Sequence, residues 1–196
     1  MFDGQKVRLR ALEKKDLPNI MEHWNTWESR RNLMMYFPMS ELFEEKWLER
    51  AMLHNPLSDG QLTLAIEERE TKQFVGTISL HDIVPNLKAE IGIAIHNPLN
   101  HNKGFGTDAM NVMLWYGFHV LNLHNIMLRV WSTNERAIHV YKKIGFHQAG
   151  VLRERNFIEG RYRDEILMDM LQSEFFERLP PGTTISGRTN TGSSHG

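Results

Sequence analysis

The run His101-Asn102-Lys103-Gly104-Phe105-Gly106-Thr107 sets two glycines one residue apart, just before apolar residues at Met110, Met113, Leu114, Gly117, Phe118 and Leu121. That spacing is helical, so the glycines stand at a helix N-terminus. Gly104 and Gly106 let the backbone turn sharply and present amide N–H groups with no β-carbon in the way, while the dipole of the following helix favours an anion. A pyrophosphate would fit such a nest, although a Gly-x-Gly by itself also describes an ordinary turn into a helix. Further on, Asn134, Ala137 and Tyr141 fall on one stripe at about 100° per residue, which brings a carboxamide and a phenol to the same side. That spacing alone also fits an amphipathic core edge.

Other nucleotide sites fit these residues less well. Gly104 to Ala109 formally matches G-x-G-x-x-A, but that turn normally follows its strand at once, and here Pro98 and several other residues intervene after Ile95. No acidic residue closes the next strand at the expected place. A phosphate-binding loop ending in Gly-Lys is excluded because Lys103 precedes the glycines. With no cysteine there is no disulfide, thiolate metal site or acyl-cysteine intermediate, and the ten histidines show no zinc spacing, so no metal is expected.

The elements that must position these residues follow from period and punctuation. Residues 89–95 alternate isoleucine with Gly92 and Ala94, a strand closely approached on one face, and Gly92 permits a bulge. A second strand is expected at 125–131, then a helix over 135–144 capped by Asn134 and closed by Gly145. Upstream, a strand is expected at 7–10, a helix from Asp16 to about Trp27, a helix with Phe43, Trp47, Leu48 and Met52 on one side, and strands at 62–67 and 74–80. A hairpin about Glu159-Gly160 joins 151–157 to 164–171. One domain over 1–178 is expected from 196 residues with 41% hydrophobic content, followed by a disordered polar tail at 179–196. No stretch of about 20 apolar residues and no signal-peptide core are seen, so a cytoplasmic location and no membrane partner are expected.

Strand, x-x-G-x-G loop, helix, strand, then Asn-x-x-Ala-x-x-x-Tyr-x-x-x-Gly-Phe (Asn134, Ala137, Tyr141, Gly145, Phe146) resembles the GNAT superfamily of acetyl-CoA-dependent N-acetyltransferases. The segments Gly150-Val151-Leu152-Arg153-Glu154 and Ile158 to Asp164 look like the branch that holds bacterial spermidine N-acetyltransferases and ribosomal-protein alanine acetyltransferases. The resemblance implies an α/β (α+β) domain with a mixed, largely antiparallel central sheet flanked by about four helices. It implies acetyl-CoA as acetyl donor, with Ile93, Ala94 and Ile95 along the pantetheine arm. His101, Asn102, Lys103, Gly104, Phe105, Gly106 and Thr107 would lie at the pyrophosphate, and Asn134 with Ala137 would lie beside the coenzyme's amide region. The family loop usually begins with Gln or Arg where this chain has His101. A neutral imidazole donates one hydrogen bond but carries less charge than arginine.

A primary amine, with a pKa of about 10.4, must lose a proton before it attacks a thioester. Glu90 is the candidate to take that proton, directly or through water, and Tyr141 takes the family's role of donor to the departing thiolate. A backbone N–H freed by a bulge near Gly92 or Ile93 would face the thioester oxygen. Acids outnumber bases over 41–70 and bases outnumber acids over 124–163, while the whole chain carries a net charge of −1. Most of these charges belong to solvated faces, but Glu41, Glu44 and Glu45 are expected to hold a cationic amine. A small-molecule polyamine such as spermidine or spermine is the first acceptor, and a protein N-terminus is the alternative. From another class, the chain would be a non-catalytic coenzyme or polyamine sensor. Nucleic acid is not an expected partner, and a homo-oligomer stays open.

Overall fold

A computed structural model of the chain describes residues 2–30 and 37–179, together with the backbone at 184–185 and 188–189. Seven strands, β1 (Val7–Ala11), β2 (Leu62–Glu68), β3 (Phe74–Val84), β4 (Lys88–Ile95), β5 (Asn125–Trp131), β6 (His147–Ile158) and β7 (Arg161–Leu171), form one sheet in the order β1-β2-β3-β4-β5-β7-β6. Every neighbouring pair is antiparallel except β4 with β5. A parallel pair needs a crossover, which the helix between those strands supplies. The helices are α1 (Leu17–Trp24), α2 (Trp27–Arg30), α3 (Glu41–Met52), α4 (Phe105–Trp115), α5 (Glu135–Ile144) and α6 (Gln172–Arg178). The result is the expected α/β domain around a mixed, largely antiparallel sheet. The expected tail, apart from Leu179 and the short pair Thr184–Ile185 with Arg188–Thr189, falls outside the described residues.

The parallel pairing is short. Lys88, Ala89 and Glu90 pair with Asn125, Ile126 and Met127, and there it stops. Beyond that point β4 stays in register with β3 as far as Ile95 opposite Gly76, while β5 stays with β7 as far as Trp131 opposite Glu165. The sheet therefore splits down its middle, and the backbone groups of β4 and β5 that would have bonded each other line an open wedge. Gly76 holds one wall in place, because a β-carbon there would overlap the Ala94 carbonyl oxygen. Only glycine lets β3 and β4 approach so closely.

Strand parity gives the two faces different chemistry. On one face Leu9, Ile66, Ile78, Leu80, Ile91, Ile126, Leu128 and Met168 pack with Met110, Met113, Leu114 and Phe118 of the long central helix and its continuation. Each such side chain contributes about 1.5–3 kcal/mol on burial. A π-helical turn at Tyr116–Val120 extends α4. On the other face Leu12, Ile20, Leu48, Ala51 and Ala65 form a smaller core beneath α1 and α3.

Two local expectations are corrected. The first helix ends at Trp24, with α2 following as a separate turn, and the Asp16 side chain does not cap it. Instead that carboxylate takes both terminal nitrogens of Arg10, each at 2.8 Å, because a bidentate guanidinium outcompetes one amide. In α3 the buried residues are Glu44, Leu48 and Ala51, whereas Phe43 and Met52 are exposed. Trp24 donates Nε1–H to Glu44 Oε1 at 2.5 Å, which turns that face of the helix inward.

Candidate active site

The wedge between β4 and β5 opens into a cleft of about 530 Å3. Its walls are Glu90 to His96 of β4 and the residue after it, Arg129 to Trp131 of β5, and the face of α5 that carries Asn134, Ala137, Val140 and Tyr141. Asn100, His101, Asn102, Gly104, Gly106 and Thr107 of the loop and helix entry also line it, as do Thr77, Ser79, Glu165 and Trp24.

At the loop end, Gly104 is the N-cap of α4 with a φ of 86°, a left-handed conformation that glycine adopts without strain. Asp108, the acid in the first turn, faces away: its carboxylate accepts the amides of Gln5, Lys6 and Val7 at 3.1, 2.7 and 2.9 Å. This ties α4 to β1 and leaves the helix's own N-terminal amides to an anion. The site thus fits a pyrophosphate. Lys103 and Phe105 do not line it: Lys103 Nζ turns to Asn100 Oδ1 at 3.1 Å, and the Phe105 ring is buried in the core.

Asn134 caps α5 by accepting from the Ala137 amide at 3.2 Å, and it shares the cleft with Ala137 and Tyr141 as the helical stripe requires. Burial pushes the Tyr141 phenol up to about 12, and the neighbouring Arg136 opposes that shift. The phenol therefore stays protonated throughout the neutral range. Ala94 and the isoleucines at 93 and 95 run along the wall. The bulge expected near Gly92 or Ile93 is absent: Gly92 pairs with Ser79 in unbroken register, and the β3–β4 irregularity lies between His81 and Val84. Unpaired β4 amides arise instead from the split, since beyond Glu90 β4 has no strand partner on that side among the described residues.

Glu90, the last β4 residue paired with β5, lies where the split begins and accepts from Arg129 Nε at 3.1 Å. Arg129 Nη1 also stands 3.8 Å from Glu165 Oε2. Glu165 is only 4% exposed, and among the described residues that oxygen has no hydrogen-bond partner. In-register pairing places Glu90, Arg129 and Glu165 on one sheet face with Ser79 and His81. Ser79 Oγ and His81 Nε2 are 2.7 Å apart, and burial lowers the His81 pKa against the pull of Glu90. Glu41, Glu44 and Glu45 do not line the cleft. Glu44 is 2% exposed beneath Trp24, and burial raises its pKa, while Glu41 and Glu45 face solvent on α3.

Sequence reasoning missed Ser79, Arg129, Glu165 and Arg136. The first three become neighbours only through strand pairing, and Glu165 on β7 is brought toward Glu90 on β4 across the single intervening strand β5. Arg136 lies about 200° around the helix from Asn134, off the recognised stripe. It enters the cleft because it sits in the first turn, where side chains tilt toward the N-terminus and its long stem reaches past the helix end. Among the described residues no group of three or more acids and histidines could hold a metal ion, and no helix is long and apolar enough to cross a membrane.

Residues 6–147 match the family model described as acetyltransferase (GNAT) domain. The chain is 34% identical over 179 residues to spermidine N(1)-acetyltransferase of Vibrio cholerae, covering 89% of this chain and 98% of that protein. It is 32% identical over 195 residues to the enzyme of that name from Escherichia coli K12, covering 94% and 97%. The crystal structure of spermidine N-acetyltransferase from Vibrio cholerae in complex with CoA and spermine superposes with a TM-score of 0.75 at 32% identity, over 87% of this chain and 98% of that one. A GNAT-family acetyltransferase from Bacillus anthracis, 21% identical, shares the fold at a TM-score of 0.77 over 88% and 99%. With the split sheet, the glycine loop and the Asn134–Tyr141 stripe meeting in one cleft, the chain belongs to the GNAT family and is an N-acetyltransferase that uses acetyl-CoA as its acetyl donor.

Proposed function

We propose that the acceptor is a primary amine of a polyamine such as spermidine or spermine. The observation that carries this reading is the pair of carboxylates on one sheet face: Glu90 and Glu165 share one guanidinium, and one Glu165 oxygen is buried with no hydrogen-bond donor among the described residues. A buried carboxylate oxygen without a donor is costly, and a cationic amine supplies both the hydrogen bond and the charge. The likeness to enzymes named for spermidine, and to one solved with spermine, supports the same choice.

Acetyl-CoA supplies the acyl group already activated as a thioester. The loop amides at Gly104 to Thr107 hold its pyrophosphate, Ile93, Ala94 and Ile95 lie along its arm, and Asn134 donates from the amide nitrogen left free by capping. Glu165 anchors the cationic acceptor, and Glu90 takes the proton of the attacking nitrogen directly or through water as Arg129 shifts toward Glu165. β4 amides freed by the split face the carbonyl oxygen as it gains negative charge. Tyr141 donates to the departing sulfur, its raised pKa keeping the proton in place until the thiolate forms. Much of the acceleration comes from holding both reactants in line across the split.

The test is the KM for spermidine in Glu165→Gln. Removing one charge-assisted contact, worth about 1.5–3 kcal/mol, raises KM roughly 10- to 100-fold with the KM for acetyl-CoA unchanged. An unchanged spermidine KM, or efficient acetylation of an N-terminal alanine peptide in preference to spermidine, removes the polyamine reading.

A further inference from the structure

The loop that receives the pyrophosphate lacks the arginine or glutamine that usually opens it, and Lys103 does not face the ligand. Among the described residues that line the cleft, only Arg129 and Arg136 carry a permanent positive charge. Arg129 belongs to the acceptor end, where Glu90 and Glu165 hold it. Arg136 has no carboxylate partner among the described residues. Its Nη1 lies 2.8 Å from His101 Nδ1, at the position of the missing loop residue.

His101 bridges two elements. Its Nε2 lies 3.3 Å from the Ile95 carbonyl oxygen, the end of the β4 wall. A carbonyl only accepts, so Nε2 carries the proton; a guanidinium only donates, so Nδ1 is bare. One neutral tautomer satisfies both contacts. The imidazole thereby fixes a guanidinium from α5 against the loop, while the guanidinium's other N–H groups stay available to phosphate oxygens. Helix α4's amides offer dipoles at that spot, and Arg136 offers the full charge they lack.

We infer that Arg136, positioned by His101, is the cation that binds the pyrophosphate of the coenzyme, so that the charge usually carried by the loop is delivered from the neighbouring helix. The inference rests on the acetyl-CoA assignment and adds a binding residue and a positioning residue to it. Arg136 contacts the ligand; His101 acts through Arg136.

The experiment is calorimetric titration of wild type, Arg136→Ala, His101→Ala and the double variant with CoA, 3′-dephospho-CoA and pantetheine, with thermal unfolding to verify the fold. Arg136→Ala is expected to weaken CoA and 3′-dephospho-CoA alike, about 10- to 100-fold, as loss of one charge-assisted phosphate contact requires, and to leave pantetheine unchanged. His101→Ala weakens CoA by a smaller factor and adds nothing on top of Arg136→Ala, the non-additivity of two residues acting as one unit. In His101→Arg combined with Arg136→Ala, a cation returns to the loop itself and CoA affinity recovers.

A loss seen with CoA but not with 3′-dephospho-CoA would put the guanidinium on the 3′-phosphate and overturn the inference. An equal loss with all three ligands would do the same by making Arg136 structural, and so would additive single effects. Normal CoA binding by Arg136→Ala overturns the inference while leaving the coenzyme assignment intact. Failure of the wild type to bind CoA overturns both.

Discussion

His96, the residue after β4, makes the stability of this fold depend on pH in a way that can be worked out beforehand. It is 4% exposed, stacked on Trp24 with ring centroids 4.9 Å apart and edge-on to Phe74, and its Nε2 lies 3.3 Å from Thr77 Oγ1. Burial lowers its pKa from 6.5 to about 4, so the fold holds the ring neutral. Below pH 6.5 the unfolded chain binds a proton that the native state refuses, so stability is full above 6.5 and drains away as pH falls toward 4. At 1.36 kcal/mol per unit, the whole effect is about 3 kcal/mol, of which about 2 kcal/mol is lost by pH 5. For a chain of this size that is roughly 4–8 °C of Tm. The assay is denaturant or thermal unfolding at pH 7.5 and 5.0 for wild type and His96→Phe, which keeps an aromatic ring beside Trp24 but cannot titrate; His96→Asn serves should the phenyl ring not fit. Other groups titrate over the same interval, so the difference between the two proteins is the quantity that matters. Wild type should lose about 2 kcal/mol more than the variant. Equal losses would refute a neutral buried His96.

Tyr141→Phe should lower kcat by about 100-fold or more while leaving the Kd for CoA unchanged, as removal of a proton donor that acts only late in the reaction requires; unchanged turnover removes Tyr141 from that role. Gly76→Ala forces a methyl group into the Ala94 carbonyl and should destabilise by about 1–3 kcal/mol, read as a lower midpoint in urea; an unchanged midpoint would mean that β3 and β4 are not pressed together there.

What the sequence made legible was local. Asn134 and Gly145 bracket α5 because an N-cap carboxamide and a left-handed C-cap glycine are short-range signals, and both are found in place, Gly145 at a φ of 107°. The turn at Glu159 and Gly160 was visible for the same reason, with φ of 51° and 76°. What escaped depends on pairing across the chain. The point at which β4 and β5 part is set by the packing of two half-sheets, so unpaired amides looked like a bulge at Gly92 when they come from the split. Glu44 looked like a substrate ligand because acidic clustering is all a sequence reveals, while its hydrogen bond to Trp24 joins two helices. Glu165 carried no signal, because the residues that leave its oxygen without a donor lie on other strands. His101 looked like a lost loop cation, and only the meeting of α5 with the loop shows Arg136 beside it.

Thiol release from acetyl-CoA, followed over a panel of amines with the purified chain, bears most directly on the assignment. Acetyl transfer to a polyamine in the β4–β5 cleft predicts CoA release that depends on spermidine or spermine, with the acetyl group recovered on a primary nitrogen by mass spectrometry. Acetyl-CoA binding with no thiol released by any amine would contradict it and leave a coenzyme-binding module without turnover.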